Sequence, residues 1–342
     1  MDSGQYTLSR RQFLTGSAAA AFGLATIDQG FAAMPPRDPD EDLSHKALIA
    51  ITLDLEMSRH YPKRGMMEWD YQKGNLDEPT KRYAVEAARV ARERGGIIHF
   101  FCVGRVLEQE NVDWLKQIHE AGHPVGNHTY DHVNVTAAEP EQTQFRFQRS
   151  PWLVRGKTAE EIIRDNILMT NVALKERLGI TANGFRTPGG FNAGLSGRPD
   201  LQRMLLDLGF TWVSSKYPAH ERGREKEEPA ADVYASILAA QKESQPFLYP
   251  SGLIEVPMSP ISDVTAFRAT FWKLEYFLKA VRMAVEQAIE TRSVFDFLAH
   301  PSCLVVEDPK FETIKLICEL AAQDRDRAAI VGLDTIARQA AG

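Results

Sequence analysis

Two histidines, His128 and His132, stand four residues apart in the stretch GNHTYDH, which follows a short apolar segment. On the first turn of a helix, residues at that spacing share a face and can hold one ion between them. Solvated histidine pairs with the same spacing are common, so the pair needs a third ligand and a reason for chemistry. Upstream, TLDLE sets Asp54 and Glu56 two apart at the end of an apolar run. In extended backbone both carboxylates point to the same side, which is costly unless they meet a cation or each other. One carboxylate added to the two histidines makes a three-ligand site with a position left for water, as hydrolytic metal centres require. The other carboxylate could then take a proton from that water.

These side chains need elements to position them. From residue 47 onward, short apolar runs alternate with helical patterns, as in parallel α/β folds. ALIAITLD (47–54), IIHFFCV (97–103), HPVGN, NGFRT, FTWVS, LIEVP, VFDFLAH and AAIVG read as strands. Helices are expected over 77–96 and 111–122, and a capping box of Thr158 with Glu161 opens another that ends at Gly179. The expected class is α/β, a (β/α) barrel of about seven to eight strands. Insertions are expected at 57–76, 134–157 and 216–250. Asp54, Glu56, His128, Arg186, Trp212, Glu255 and His300 end or closely follow the strands, and in a parallel barrel such ends meet on one face.

With 342 residues, 44% hydrophobic and 25% charged, the chain can bury a large core. A net charge of −6 with no long Lys/Arg run argues against a nucleic-acid partner. Near the N-terminus, paired Arg10 and Arg11 precede the Ala/Gly-rich stretch TGSAAAAFGLA. This resembles a bacterial twin-arginine export signal, read by the export machinery as an address. The expected organisation is a signal over 1–33, a linker over 34–46 and one catalytic domain over 47–342, in a periplasmic or secreted protein. The apolar run is too short and too poor in Leu and Ile for a membrane span. Three cysteines, Cys102, Cys303 and Cys318, exclude a complete disulfide framework. Cys303 lies close to His300 in sequence, but no thiol nucleophile is expected.

The order TLDLE, HFFCVGRVLEQ, GHPVGNHTYDH, GFRTPGG and FLAHP resembles the polysaccharide deacetylase superfamily, the family 4 carbohydrate esterases and their amidase relatives. The resemblance runs from residue 47 to about 305, and its most specific part is GHPVGNHTYDH, which carries the motif H-[ST]-x-x-H. It implies a distorted (β/α) barrel that hydrolyses N-acetyl or related amide bonds with a divalent metal, zinc in the first place, with cobalt or another divalent ion as alternatives. It implies a general base at Asp54 and metal ligands at Glu56, His128 and His132. Glu56 would stand in for the usual aspartate. Arg186 would hold the base, His300 would protonate the leaving amine, and the backbone N–H of Gly189 would stabilise the oxyanion. Trp212 and Phe191 are expected to line the substrate cleft, and Trp69 and Tyr71 in the first insertion could suit sugar stacking.

The sequence also departs from that pattern. Gly189 stands where many relatives carry an aromatic. The aspartate that usually follows the motif-four aromatic and orients the acid histidine is missing, and TWVSSK offers Ser214, Ser215 and Lys216 in its place. Asp263 and Glu255 are the candidates to orient His300 instead. The expected function is metal-dependent hydrolysis of a C–N amide bond, N-deacetylation of an acetylated polysaccharide or glycoconjugate. One rival keeps the site but takes a small non-sugar amide or cyclic imide. Another is a non-catalytic metal- or carbohydrate-binding module.

Overall fold

The structure, a computed structural model, describes residues 42–63, 66 and 73–342. The expected export signal, residues 34–41 of the linker, and Trp69 and Tyr71 lie outside the described residues. Among the described residues nine strands form one sheet: β1 (Ala47–Leu55), β2 (His99–Cys102), β3 (Val125–Asn127), β4 (Gly184–Phe191), β5 (Trp212–Lys216), β6 (Phe247–Leu248), β7 (Ile254–Glu255), β8 (Val294–Ala299) and β9 (Ala328–Ile330). The order is β6-β7-β5-β4-β3-β2-β1-β8, with β9 also paired to β1. Every pairing is parallel except β6 with β7. Beyond β7 the chain turns toward β8, where Ser259 N donates to Asp296 O at 3.0 Å and Ser262 forms a parallel bridge with Leu298. The sheet is thus curled into a half-barrel, the (β/α)-barrel-like architecture expected from the sequence.

β1 lies between β2 and β8 in this order, with β9 also paired to it. All nine of its residues are buried, as an apolar strand covered on both faces requires. Its lower half pairs with β9 through Ala47–Ile49, and its upper half pairs with β2 through Thr52–Leu55. The opposite edge pairs with β8 over Leu48–Leu53. Side chains alternate along it, so Leu48, Ala50, Thr52 and Asp54 share the inward face. Leu48 and Ala50 join Phe101, Trp212, Ile254 and Val256 in an apolar cluster at the N-terminal end of the strands. Above that cluster the same face turns polar, first at Thr52 and then at Asp54. The barrel is therefore plugged below and chemically armed above.

One side chain fixes the plug. Trp212, only 1% exposed, stacks edge-on to His99 and Phe101. It faces Gly184 across the β4–β5 pairing, where a Cβ would fall 1.8 Å from its indole. Glycine is required there by close approach rather than by backbone angle. This corrects the placement of Trp212 in the substrate cleft. It begins β5 rather than ending it, so it lies in the floor of the barrel.

The helices form where the sequence signals them. Asp77 caps the helix Glu78–Glu93 by accepting from Thr80 N. The helix Ala159–Leu178 opens on the Thr158–Glu161 capping box and stops at Gly179, whose φ of 73° is the left-handed cap. No helix among the described residues is long and apolar enough to cross a membrane.

Candidate active site

Register gathers the reactive side chains. Leu55 pairs with Cys102, Cys102 with Asn127, and Asn127 with Phe185. One step further up each strand lie Glu56, Val103, His128 and Arg186, at one level of the rim. On the other edge of β1, Leu53 pairs with Ala299, which sets Asp54 level with His300. These rim residues sit at the C-terminal ends of parallel strands, where barrel sites are built.

The two histidines meet without a helix. Residues 128–134 form an irregular turn in which Thr129 and His132 both adopt φ of 57°, so the helical spacing expected for the pair is not how they converge. The turn is held by polar staples. Asn127 Oδ1 accepts from Thr129 N at 2.8 Å, and Thr129 Oγ1 accepts from Val133 N at 3.0 Å. Tyr130 N donates to Asn166 O at 3.1 Å, and Asp131 N donates to Asn166 Oδ1 at 2.8 Å. Asn166 belongs to the helix Ala159–Leu178, which therefore carries the histidine turn.

Glu56, His128 and His132 place their ligand atoms within 4.8 Å of one another. Glu56 Oε2 lies 2.7 Å from His132 Nε2 and 3.5 Å from His128 Nε2, yet it has no aligned hydrogen-bond donor. His128 Nδ1 lies 3.0 Å from the carbonyl of Arg186. A carbonyl can only accept, so Nδ1 carries a proton and Nε2 is the atom turned toward Glu56. Burial pushes His132 down to about 3, opposed by Glu56 and reinforced by the neighbouring Lys73. Burial opposes the charge on Glu56, but His132, Lys73 and His128 together hold its carboxyl well below the usual range. Two imidazole nitrogens thus converge on one carboxylate oxygen that has no aligned donor. That donor set, two nitrogens and a carboxylate, fits a divalent ion such as zinc.

Asp54 is 4% exposed and stands beside this group, its Oδ2 3.7 Å from His128 Nε2. Its Oδ1 is buried without a hydrogen-bond partner. Arg186 is fully buried and donates from Nη2 to Asp296 Oδ2 at 2.7 Å and to Thr52 Oγ1 at 3.1 Å. Its Nη1 is 3.9 Å from Asp54 Oδ1, beyond hydrogen-bond reach. Arg186 thus stands beside Asp54 as an ion pair rather than as a hydrogen-bond donor. The guanidinium is fastened to Asp296, packs 4.6 Å over the Phe101 ring, and reaches Asp54 through its charge. Asp296 was missed in the sequence, although one acid inside the apolar strand VFDFLA signals a buried partner.

His300 follows β8 with its Nε2 3.5 Å from Glu56 Oε1. Its Nδ1 lies 2.9 and 3.1 Å from the two oxygens of Asp263, so Nδ1–H donates and Nε2 is left toward the site. Asp263 therefore stands where an orienting acid is needed. Glu255 does not. It pairs with Val213, which faces out of the barrel, and its carboxylate accepts from Ser215 N, Lys216 N, Ser215 Oγ and Tyr249 Oη.

Gly189 is exposed at the end of β4 with φ of 76°, and Phe191 two residues on is half-buried against the outer apolar cluster. Lys73, which the sequence did not single out, is 2% exposed and donates to Glu56 Oε1. A lone lysine in a loop carries no periodic signal. Cys303 is fully buried and burial pushes its thiol well above the ordinary value, which leaves it inert.

The fold is the (β/α)-barrel-like fold of the polysaccharide deacetylases. The sequence model of the family described as polysaccharide deacetylase matches residues 74–198. None of the curated proteins matches the sequence. Among solved structures, the chain is similar to a Mycobacterium smegmatis protein assigned as a polysaccharide deacetylase, at 16% identity and a TM-score of 0.57, over 90% of this chain and 93% of that one. A Pseudomonas aeruginosa PAO1 protein with the same assignment is 14% identical at a TM-score of 0.56, over 85% and 90% of the two chains. The allantoinase Puue is 13% identical at a TM-score of 0.58, over 85% of this chain and 89% of that one. At these identities the likeness is one of fold.

Proposed function

We propose that this protein is a metal-dependent hydrolase of C–N amide bonds that removes the N-acetyl group from an acetylated polysaccharide or glycoconjugate. The observation that carries this reading is the convergence of Glu56, His128 and His132 within 4.8 Å, flanked by Asp54 and by His300 with its own carboxylate partner. A divalent ion held by those three residues would polarise the amide carbonyl and make water a better nucleophile near neutral pH. Asp54 accepts the proton of the attacking water, and its orphaned Oδ1 leaves lone pairs for it. The N–H of Gly189 donates to the developing oxyanion in this reading. His300 delivers a proton from Nε2 to the departing nitrogen while Asp263 holds Nδ1. Arg186 and Asp296 form a buried pair beneath Asp54 and keep its side of the rim in place.

Zinc is the ion proposed for this donor set. The matched family and the polysaccharide deacetylase-assigned relatives of the same fold support a carbohydrate amide. The allantoinase on that fold makes small amides and cyclic imides the appropriate competitors. A screen of purified protein with added zinc or cobalt decides the matter. Released acetate from acetylated oligosaccharides is expected. Turnover confined to small amides or imides would reassign the substrate, and no turnover of either would leave a binding module. The twin-arginine export signal over residues 1–33 and a periplasmic or secreted location belong to the same proposal, since an acetylated polymer is met outside the cytoplasm.

A further inference from the structure

A fully buried lysine among proposed metal ligands calls for an explanation. Lys73 Nζ donates to Glu56 Oε1 and lies 3.5 Å from His132 Nε2. The two oxygens of Glu56 are therefore divided. Oε1 takes the ammonium, with His300 Nε2 also 3.5 Å away, while Oε2 faces the two histidines. The lysine is not loosely placed. Its carbonyl accepts from Met57 N at 3.0 Å, directly beyond Glu56, so the loop returns onto the end of β1. The next residue, Gly74, is pressed against Arg105, where a Cβ would fall 2.2 Å from the arginine Cβ. Side chain and backbone both fix the ammonium beside the carboxylate.

We propose that Lys73 is a positioning residue for the metal ligand Glu56, which reserves Oε1 so that the carboxylate serves a divalent ion through Oε2 alone and which lowers the affinity of the site for that ion. The inference rests on the reading of Glu56, His128 and His132 as metal ligands. A carboxylate that engages an ion through both oxygens fills two coordination positions. Restricting it to one keeps room for water and substrate. The same fixed positive charge repels a dication a few ångströms away, in a buried setting where screening by solvent is weak. The chain thus gives up metal affinity for an open coordination sphere.

The test compares the unaltered full chain with Lys73→Met, Lys73→Gln and Lys73→Arg, measuring Co²⁺ and Zn²⁺ affinity at one pH by competition with a chromophoric chelator. Lys73→Met and Lys73→Gln should bind about one ion per chain at least about tenfold more tightly, because the repelling charge is gone. Lys73→Arg should stay close to the unaltered affinity. A lysine that merely braced the loop would move the affinity the other way, because its loss would slacken Glu56. Equal or weaker binding in both uncharged variants therefore overturns the role of Lys73 while leaving the metal site standing. Absence of any bound ion in the unaltered chain would sink the metal reading and this inference together.

Discussion

His300 and Asp263 are the residues whose pairing the sequence could propose but not decide. A histidine that ends an apolar strand is suited to hand a proton to a leaving nitrogen, provided its ring is fixed. The hydrogen bond from Nδ1 to Asp263 supplies that fixing, from one of the two acids the sequence offered. His300→Ala should keep its metal and lose roughly 10²–10⁴-fold in turnover on an amide, the usual scale for a general acid. An activated ester, whose leaving group needs little protonation, should suffer much less, and equal losses on both would remove His300 from the proton-donor role. Asp263→Asn should lose less than His300→Ala on the amide, with its pH–rate profile displaced. At this scale the reactive residues were legible because their types are rare at strand ends. Their partners were less so. Asp296 and Lys73 contact the site from a strand interior and a loop, and only the folded register reveals those contacts. Trp212 misled because an aromatic in a strand reads alike whether it stands at the top or the floor of a barrel.

The helix Ala159–Leu178 shows how an element can be read correctly and its task still missed. Its capping box and left-handed stop are plain in the sequence. That Asn166 reaches out to the histidine turn is a matter of packing. The two features should separate experimentally. Thr158→Ala removes the cap and should cost about 1 kcal/mol in urea unfolding, with metal content unchanged. Asn166→Ala takes a buried acceptor from Asp131 N and should both destabilise the protein by about 1–3 kcal/mol and weaken metal binding. Metal affinity untouched by Asn166→Ala would mean that the turn holds itself. The turn was also where the sequence reading erred, since the i, i+4 histidines suggested a helix. Positive φ at Thr129 and His132 is paid for by side-chain bonds from Asn127 and Thr129 that no periodicity announces.

Across the whole molecule, alternating strands and helices predicted the barrel. The short antiparallel β6 escaped because two residues carry no period. Two histidines away from the metal group set the expected acid response. Burial pushes both His99 and His123 down to about 4. The unfolded chain then binds more protons than the folded one between about pH 6.5 and 4, so stability is full above that window and falls as pH drops through it. The loss reaches up to about 3 kcal/mol for His99. Urea titrations from pH 7 to 4 should show this slope, and His99→Phe should reduce it. An unchanged slope in that variant would acquit His99. The proposed export signal is tested by Arg10→Lys with Arg11→Lys, which should hold the precursor in the cytoplasm, whereas unchanged periplasmic recovery would point to another route. The proposed hydrolysis turns on Asp54 working beside a bound metal. The most direct measurement is acetate release from an acetylated oligosaccharide by zinc-loaded wild type and Asp54→Asn, with metal content determined on the same samples. One ion per chain in both proteins, with turnover in the variant down by about 10²-fold or more, is the predicted result. An Asp54→Asn protein that keeps its metal and its full activity would contradict it.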